Sequence, residues 1–331
     1  MDIVVSGIRS TGRLHLGNYF GALQNFVKLQ DTHQCYFFIA DYHSLTTHPN
    51  AVDLHESVGH VLVEYLAAGI DPEKATIFVQ SDLPEVAELY LYLNMNAYVG
   101  ELERSTSFKD KVRSQPDNVN AGLLTYPTLM AADILIQKAT RVPVGKDQEQ
   151  HLEMTRTFAA RFNRMYRVDY FPEPQAYNFG KDLLKVPGLN GKGKMSKSEG
   201  EAGAIFLSDD AATVRSKVMR AVTDSGPLDE NEKKTEPAQN LFDLMELVSS
   251  PETIRFFEGE HRSARIRYGD LKRQLAEDII AFKEPIYEHI IELNSNQTYI
   301  REAARMGAAK ARVSARKTLK EVREIIGFKS F

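Results

Sequence analysis

A chain of 331 residues, 43% hydrophobic and 26% charged, has room for two domains and a sizeable core, which excludes a disordered or fibrous protein. Its single cysteine, Cys35, excludes a disulfide framework and a cysteine-built zinc site, and no run approaches the roughly 20 apolar residues of a membrane span. A net charge of −4 does not mark the whole chain as a nucleic-acid binder, and with no basic or long apolar run ahead of the first strand the expected compartment is the cytoplasm.

The first strand is expected over Asp2 to Gly7. It runs into Ser6-Gly7-Ile8-Arg9-Ser10-Thr11-Gly12-Arg13-Leu14-His15-Leu16-Gly17-Asn18, and an amphipathic helix from about Asn18 to Leu29 leaves it. Such a turn aims free backbone N–H groups and a helix N-terminus at one place, which suits an anion, although an ordinary strand-to-helix turn has the same composition. Cys35 to Ala40 is apolar throughout, as a strand buried on both faces should be. In Asp53 to Gly69 the apolar residues recur at helical spacing; Ala75 to Gln80 is a third strand, and Pro84 opens the next helix. This alternation predicts an α/β fold, a doubly wound parallel sheet of Rossmann-like type. The loops after the three strands, Ser6–Asn18, Ala40–His43 and Gln80–Asp82, then share one rim, where such sheets bind ligands.

Glu101 to Arg113 reads as a charged helix, followed by a polar loop. Thr125 to Ile136 is a largely apolar helix with one acid, Asp133, in its middle. A carboxylate among Ala and Ile is costly unless it is hydrogen-bonded, and on the residues alone a nearby arginine such as Arg141 is a sufficient partner. Arg141 to Val144 is a short strand, about Gln148 to Met165 a long helix, and Tyr170 to Val186 irregular. Gly188 to Gly203 is a glycine-rich loop carrying Lys194-Met195-Ser196-Lys197-Ser198. Pro227 to Pro237 is a surface loop, and the remainder is helical, with Pro285 expected to kink its helix. From Asn296 to Phe331 there are nine basic and three acidic residues, a local stripe able to meet phosphates although the whole chain is acidic. A solvated helix face explains that charge equally well.

His15-Leu16-Gly17-Asn18 and Lys194-Met195-Ser196-Lys197-Ser198, in this order, resemble the HIGH and KMSKS signatures of class I aminoacyl-tRNA synthetases. The second matches at all five letters; Asn18 replaces the last His of the first, a variant of the tryptophanyl branch. From end to end the chain is similar to bacterial members of that branch. The resemblance implies a catalytic domain over residues 1–207, which can also take in the final helices, and a helical anticodon-binding region over 208–331. It implies ATP and Mg²⁺, L-tryptophan and tRNA(Trp) as partners, a homodimer, and no membrane association. Asp133 matches the acid that accepts the indole N–H. Tyr126 and Gln148 match groups that hold the substrate ammonium, and Met130, Val144 and His43 match pocket-lining positions. For ATP the matches are Arg9, Ser10 and Thr11 in the first glycine loop, Gly17 and Asn18 under the adenosine, and Gly145, Lys146 and Asp147 at the ribose. Val186 matches the adenine contact, and the Lys194–Ser198 loop (Lys194, Met195, Ser196, Lys197, Ser198) covers the phosphates.

The implied catalytic groups are His15, Asn18, Lys111, Lys194 and Lys197, with no side chain ligating a metal. The chain departs from the family pattern at Arg9-Ser10-Thr11, where relatives often have Gln-Pro-Ser, at His15, where many bacterial members have Thr, and at Lys146, often acidic elsewhere. The implied chemistry is attack of the tryptophan carboxylate on the α-phosphate, followed by acyl transfer to the terminal adenosine, driven by positioning and charge stabilisation. A tyrosine-specific relative, a small-cofactor nucleotidyltransferase and a non-catalytic regulator remain the rival readings.

Overall fold

The computed structural model describes residues 1–145, 148–177, 185–197 and 200–328. Its strands are β1 (Ile3–Arg9), β2 (Gln34–Ala40), β3 (Thr76–Val79), β4 (Arg141–Pro143) and β5 (Gln175–Tyr177). Helical segments up to the second strand are α1 (Leu16–Asn18) and α2 (Gln24–Leu29). After it come α3 (Asp41–Ser44), α4 (Ala51–Ala67), α5 (Pro84–Asn96), α6 (Val99–Leu102), α7 (Thr106–Ser114), α8 (Ala121–Leu124), α9 (Tyr126–Ile136) and α10 (Glu149–Tyr166). The last five are α11 (Ala211–Met219), α12 (Glu236–Val248), α13 (Pro251–Arg262), α14 (Tyr268–Ser295) and α15 (Gln297–Ile326).

The chain divides into two compact units that do not follow chain order: Met1–Gly12, Phe26–Leu183 and Asn296–Phe331 form one, Arg13–Asn25 and Leu184–Ser295 the other. The division differs from a split at residue 207. The two signature loops group with the helices after 207, and the last helix groups with the sheet.

In the first unit the strands lie in the order β3-β2-β1-β4-β5, all parallel. This is a doubly wound order with its switch point between β1 and β4. Seven consecutive pairs, Ile3↔Gln34 through Arg9↔Ala40, fix β1 against β2. The core holds Val5, Phe38, Phe78, Leu89, Ala131, Leu135, Phe158 and Phe162 together with Ala311, Ala315 and Val322 of α15. Helix α9 packs on α5 and α10, which accounts for its nearly all-apolar sequence. Helix α15 lies against β3 so closely that a Cβ on Gly307 would stand 1.7 Å from the carbonyl oxygen of Ile77.

Several local expectations are corrected. The helix expected from Asn18 to Leu29 is broken: Tyr19–Leu23 forms a wide π turn between α1 and α2. The charged helix expected over Glu101–Arg113 is two, α6 and α7, and Ser105 between them is fully buried. The irregular stretch after Tyr170 contains β5, too short and too close to prolines to show a strand pattern.

In the second unit α14 is the long element, packed on α11 and α12. The Phe282 ring of α14 stacks on Phe20 at 5.0 Å and meets Tyr19 edge-on at 5.5 Å. Residues 13–25 are held to this unit by those rings and by backbone pairing to 205–207.

Candidate active site

Within the second unit the two signature loops come together. Leu14 and Leu16 are buried, and the segment pairs antiparallel with 205–207: Leu16 N–H donates to Ile205 O at 2.9 Å and Leu207 N–H to Leu14 O at 2.9 Å. His15 then caps α1. Its Nδ1 accepts from Asn18 N–H at 3.3 Å, and its own N–H donates to Asn18 Oδ1 at 3.1 Å. This reciprocal pair is a capping box built with His and Asn. Because Nδ1 accepts, the neutral ring carries its hydrogen on Nε2. Burial, and then the charges of Lys197 and Lys194, push the His15 pKa down to about 4. At neutral pH the ring is therefore an uncharged Nε2–H donor, suited to an anionic oxygen.

A Cβ on Gly17 would stand 2.8 Å from His15 Nδ1 and 3.5 Å from Met195 Cβ, so the two loops touch at this glycine. Met195 is buried and donates its N–H to Val186 O at 2.7 Å. Lys194 pairs with Pro187 in an isolated bridge and is exposed, and Lys197 is half-buried. Gly191 and Gly193 hold positive φ of 80° and 61° in the turn between, a conformation that favours glycine. Thus His15, Gly17, Asn18, Val186, Lys194, Met195 and Lys197 all belong to one unit, with Ser196 beside them. Ser198 lies outside the described residues.

A buried ionic cluster that the sequence did not announce supports the His15 loop. Asp209 accepts from Phe206 N–H at 2.9 Å and from Lys217 Nζ at 2.7 Å, and Arg13 Nη1 stands 3.6 Å away. Arg13 and Lys217 lie over the Phe206 ring at 4.4 and 4.5 Å, a cation–π arrangement. Phe206, Asp209 and Lys217 are near in sequence, but only the pairing of 205–207 with 14–16 brings Arg13 to them.

In the first unit Asp133 is buried on α9, 5% exposed. Its partner is not Arg141, which pairs with Asp2 at 3.1 Å. Gln80 Nε2 donates to Asp133 Oδ1 at 2.7 Å and to Oδ2 at 2.9 Å, and His43 Nε2 stands 2.9 Å from Oδ2. Burial raises the Asp133 pKa, opposed by the hydrogen bonds and charge of His43 and by the Gln80 bond. The His43 ring lies 4.3 Å from the Tyr126 ring, and Tyr126 lies 5.6 Å from His151. His151 Nδ1 is 2.9 Å from Gln148 Oε1. Asp133, His43, Tyr126 and Gln148 therefore form one chain of contacts, and Met130 and Val144 pack half-buried against the core beside it.

Of the remaining predicted residues, Arg9 ends β1 in register with Ala40, Ser10 bonds Ser44 at 3.0 Å, and Thr11 N–H closes a turn onto Arg9 O at 2.9 Å. Gly145 O accepts from Gln148 N–H at 2.8 Å. Lys146 and Asp147 lie outside the described residues. Lys111 is half-buried on α7, and no hydrogen bond or ion pair among the described residues joins its side chain to the Asp133 group. Gln80, at the carboxyl end of β3 and fully buried, was not expected at the site. Its one sequence signal was its place on the rim where strand-end loops gather.

A parallel sheet of this order, with polar loops at its carboxyl ends, is a nucleotide-binding α/β architecture. A family model described as tRNA synthetases class I (W and Y) matches residues 2–284, and the chain belongs to that family. Within it the chain is 61% identical to a tryptophan–tRNA ligase of Porphyromonas gingivalis, over 99% of this chain and 100% of that protein. It is 42% identical to the one from Fusobacterium nucleatum, over 98% and 97%. Among solved structures it superposes on a Campylobacter jejuni tryptophanyl-tRNA synthetase, complexed with ADP and tryptophan, with a TM-score of 0.88 at 34% identity, covering 98% of this chain and 100% of that one. No helix among the described residues is long and apolar enough to cross a membrane.

Proposed function

We infer that this enzyme activates L-tryptophan with ATP, giving tryptophanyl-adenylate and pyrophosphate, and then transfers the tryptophanyl group to the 3′ end of tRNA(Trp). The observation that carries the choice of amino acid is the buried carboxylate of Asp133 among apolar neighbours, with an aromatic ring and a histidine in the same chain of contacts. Such a group can accept an indole N–H, and a side chain lacking that donor leaves one of its acceptor sites unfilled, which is how polar recognition rejects near-isosteres. Tyr126 and Gln148 would hold the ammonium, with Met130, Val144 and His43 around the indole.

For activation, the carboxylate of tryptophan attacks the α-phosphate and pyrophosphate leaves. Negative charge grows on the phosphate oxygens, and donors already aimed at them lower the barrier. His15 as a neutral Nε2–H donor, Asn18, and the ammonium groups of Lys194, Lys197 and Lys111 take this role. Arg9, Ser10, Thr11, Gly17, Gly145, Val186, Met195 and Ser196 would hold the nucleotide, as would Lys146, Asp147 and Ser198. Among the described residues no three His, Cys, Asp or Glu side chains gather as a metal cage. Mg²⁺ would travel with the triphosphate, in keeping with its preference for phosphates over protein cages, and would supply charge neutralisation there.

Two experiments test the reading. Asp133→Ala is expected to lose about 1.5–3 kcal/mol of tryptophan binding, the range for a hydrogen bond to a charged group. The chain has no tryptophan, so indole emission in a titration belongs to the ligand, and unchanged affinity would remove Asp133 from the pocket. The anticodon is expected to meet the helical region over 208–331. There tRNA affinity should fall steeply with salt, by about 0.7–0.9 log units per tenfold change for each phosphate contacted; a flat salt profile would rule out a phosphate-led interface. The basic stripe of α15 is the weaker candidate for this contact, since Arg312 and Arg316 face Glu85 at 3.4 and 3.0 Å and Arg323 faces Glu88 at 3.4 Å. A homodimer fits the exposed Leu91 and Met95 of α5 and Tyr98 and Val99 beyond it, apolar side chains of the kind a second copy covers.

A further inference from the structure

The choice of tryptophan is assigned to Asp133 alone, yet the carboxylate does not stand by itself. We propose that Gln80 is the positioning residue for amino-acid selection: clamped at its amide oxygen and holding both oxygens of Asp133, it leaves one acceptor site on Oδ1 for the indole N–H. The proposal rests on the reading that Asp133 receives that N–H.

The amide has only one orientation. Tyr42 N–H, shared between Gln80 Oε1 and Asp41 Oδ1 at 3.0 Å each, can only donate, so the amide oxygen faces it and Nε2 faces Asp133. Asp41 Oδ1 also takes Ser81 N–H at 3.0 Å, which ties the start of α3 to the turn Gln80–Asp82. Gln80 is 0% exposed, so bulk solvent does not reach either end. An ionised carboxylate has about four lone-pair sites. On Oδ2 Gln80 and His43 take both; on Oδ1, among the described residues, only Gln80 is bound. His43 is the less constrained partner. Its Nδ1 is buried with no partner among the described residues, and its ring contacts Asp133 and the Tyr126 ring.

Gln80 also favours the charged form of the acceptor. Burial raises the Asp133 pKa, and the bonds from His43 and Gln80 oppose that rise. The titratable groups facing this cluster are His43 and Asp41 of α3, with the Tyr42 phenol and Asp82 at its margin. Without the amide the carboxyl binds a proton at higher pH, and a protonated acid is the poorer acceptor. With a glutamate in its place, two facing carboxyls share one proton near neutrality and repel once it leaves.

The test is titration of L-tryptophan, followed by its own emission, across roughly pH 6–8 with the full chain as parent, Gln80→Met and Gln80→Glu. Parent affinity should stay nearly flat. Gln80→Met should bind about tenfold more weakly, with affinity falling further as pH falls. Gln80→Glu should weaken in the opposite direction, as pH rises. Loss of affinity equal at every pH in both variants, or no loss in either, overturns the proposal, since a merely structural glutamine gives no opposed slopes. Circular dichroism checks folding, and if Gln80→Met does not fold, the near-isosteric Gln80→Glu carries the test. 1-Methyltryptophan, which lacks the N–H, separates the two levels. If the parent binds it as tightly as tryptophan, the Asp133 reading fails and this proposal falls with it. If the parent discriminates while the Gln80 variants show no slope, only the role of Gln80 is lost.

Discussion

Gly307→Ala is expected to destabilise the protein by about 3 kcal/mol or more, at the upper end of what overpacking costs. The added methyl would lie 1.7 Å from Ile77 O, 2.6 Å from its carbonyl carbon and 3.0 Å from its nitrogen. All three are backbone atoms of β3, so no side chain can swing aside and the helix itself must move. Moving α15 disturbs Ala311, Ala315, Leu319 and Val322, which share the core with the sheet. Gly259 supplies the control. It sits in α13 with nothing within 4 Å of its would-be Cβ, and alanine there should be neutral or stabilise by about 0.4–1 kcal/mol. Urea midpoints of the two variants decide the matter: equal midpoints would mean that α15 does not lie on β3 as described.

Lys197→Ala should slow ATP–pyrophosphate exchange by about 10²–10³-fold, the loss typical of one preorganised charge-stabilising group, while tryptophan affinity stays within about twofold of the parent. A variant exchanging at the parent rate would remove Lys197 from the chemistry. The pH profile adds a second readout. Burial first, and then Lys197 and Lys194, depress His15 to about 4, so the parent rate should show no His15 titration between roughly pH 6 and 8. Losing the Lys197 charge lets the His15 pKa rise, though burial keeps it below the usual histidine value. Any new acid limb must therefore lie below about pH 6.5. The same shift makes the fold lose stability as pH falls from about 6.5 toward 4, where the unfolded chain takes up a proton that the folded one does not.

Much of this arrangement was legible in the residues. Apolar runs such as Cys35–Ala40 marked the buried strands, and Asp133 stood out because a lone acid on an apolar helix must have a reason. The two signature loops could be paired because the second keeps all five letters and the first keeps His15 and Gly17. What escaped was whatever depends on close approach of distant segments. Gln80 carries no charge and matched no motif, and only the folded rim brings it to Asp133. Asp209, Lys217 and Arg13 look like ordinary surface charges until the Phe206 segment pairs with His15 and draws Arg13 to Asp209. Ser105 interrupts a run that reads as helical because its burial is set by tertiary packing, not by local propensity. Likewise the cationic spacing of α15 gave no hint that Arg312 and Arg316 pair with Glu85 and Arg323 with Glu88.

The contact between α15 and β3 also has a history in time. β3 is the outermost strand of its sheet, and outer strands left bare recruit other chains. The segment that covers it is made some 230 residues later, which at about 5–20 residues per second means roughly 10–50 s on the ribosome. For that whole interval the nascent sheet must stay solitary without its shield. Aggregation during synthesis, more than thermal unfolding of the finished enzyme, is then the hazard that a defect at Gly307 would aggravate in the cell.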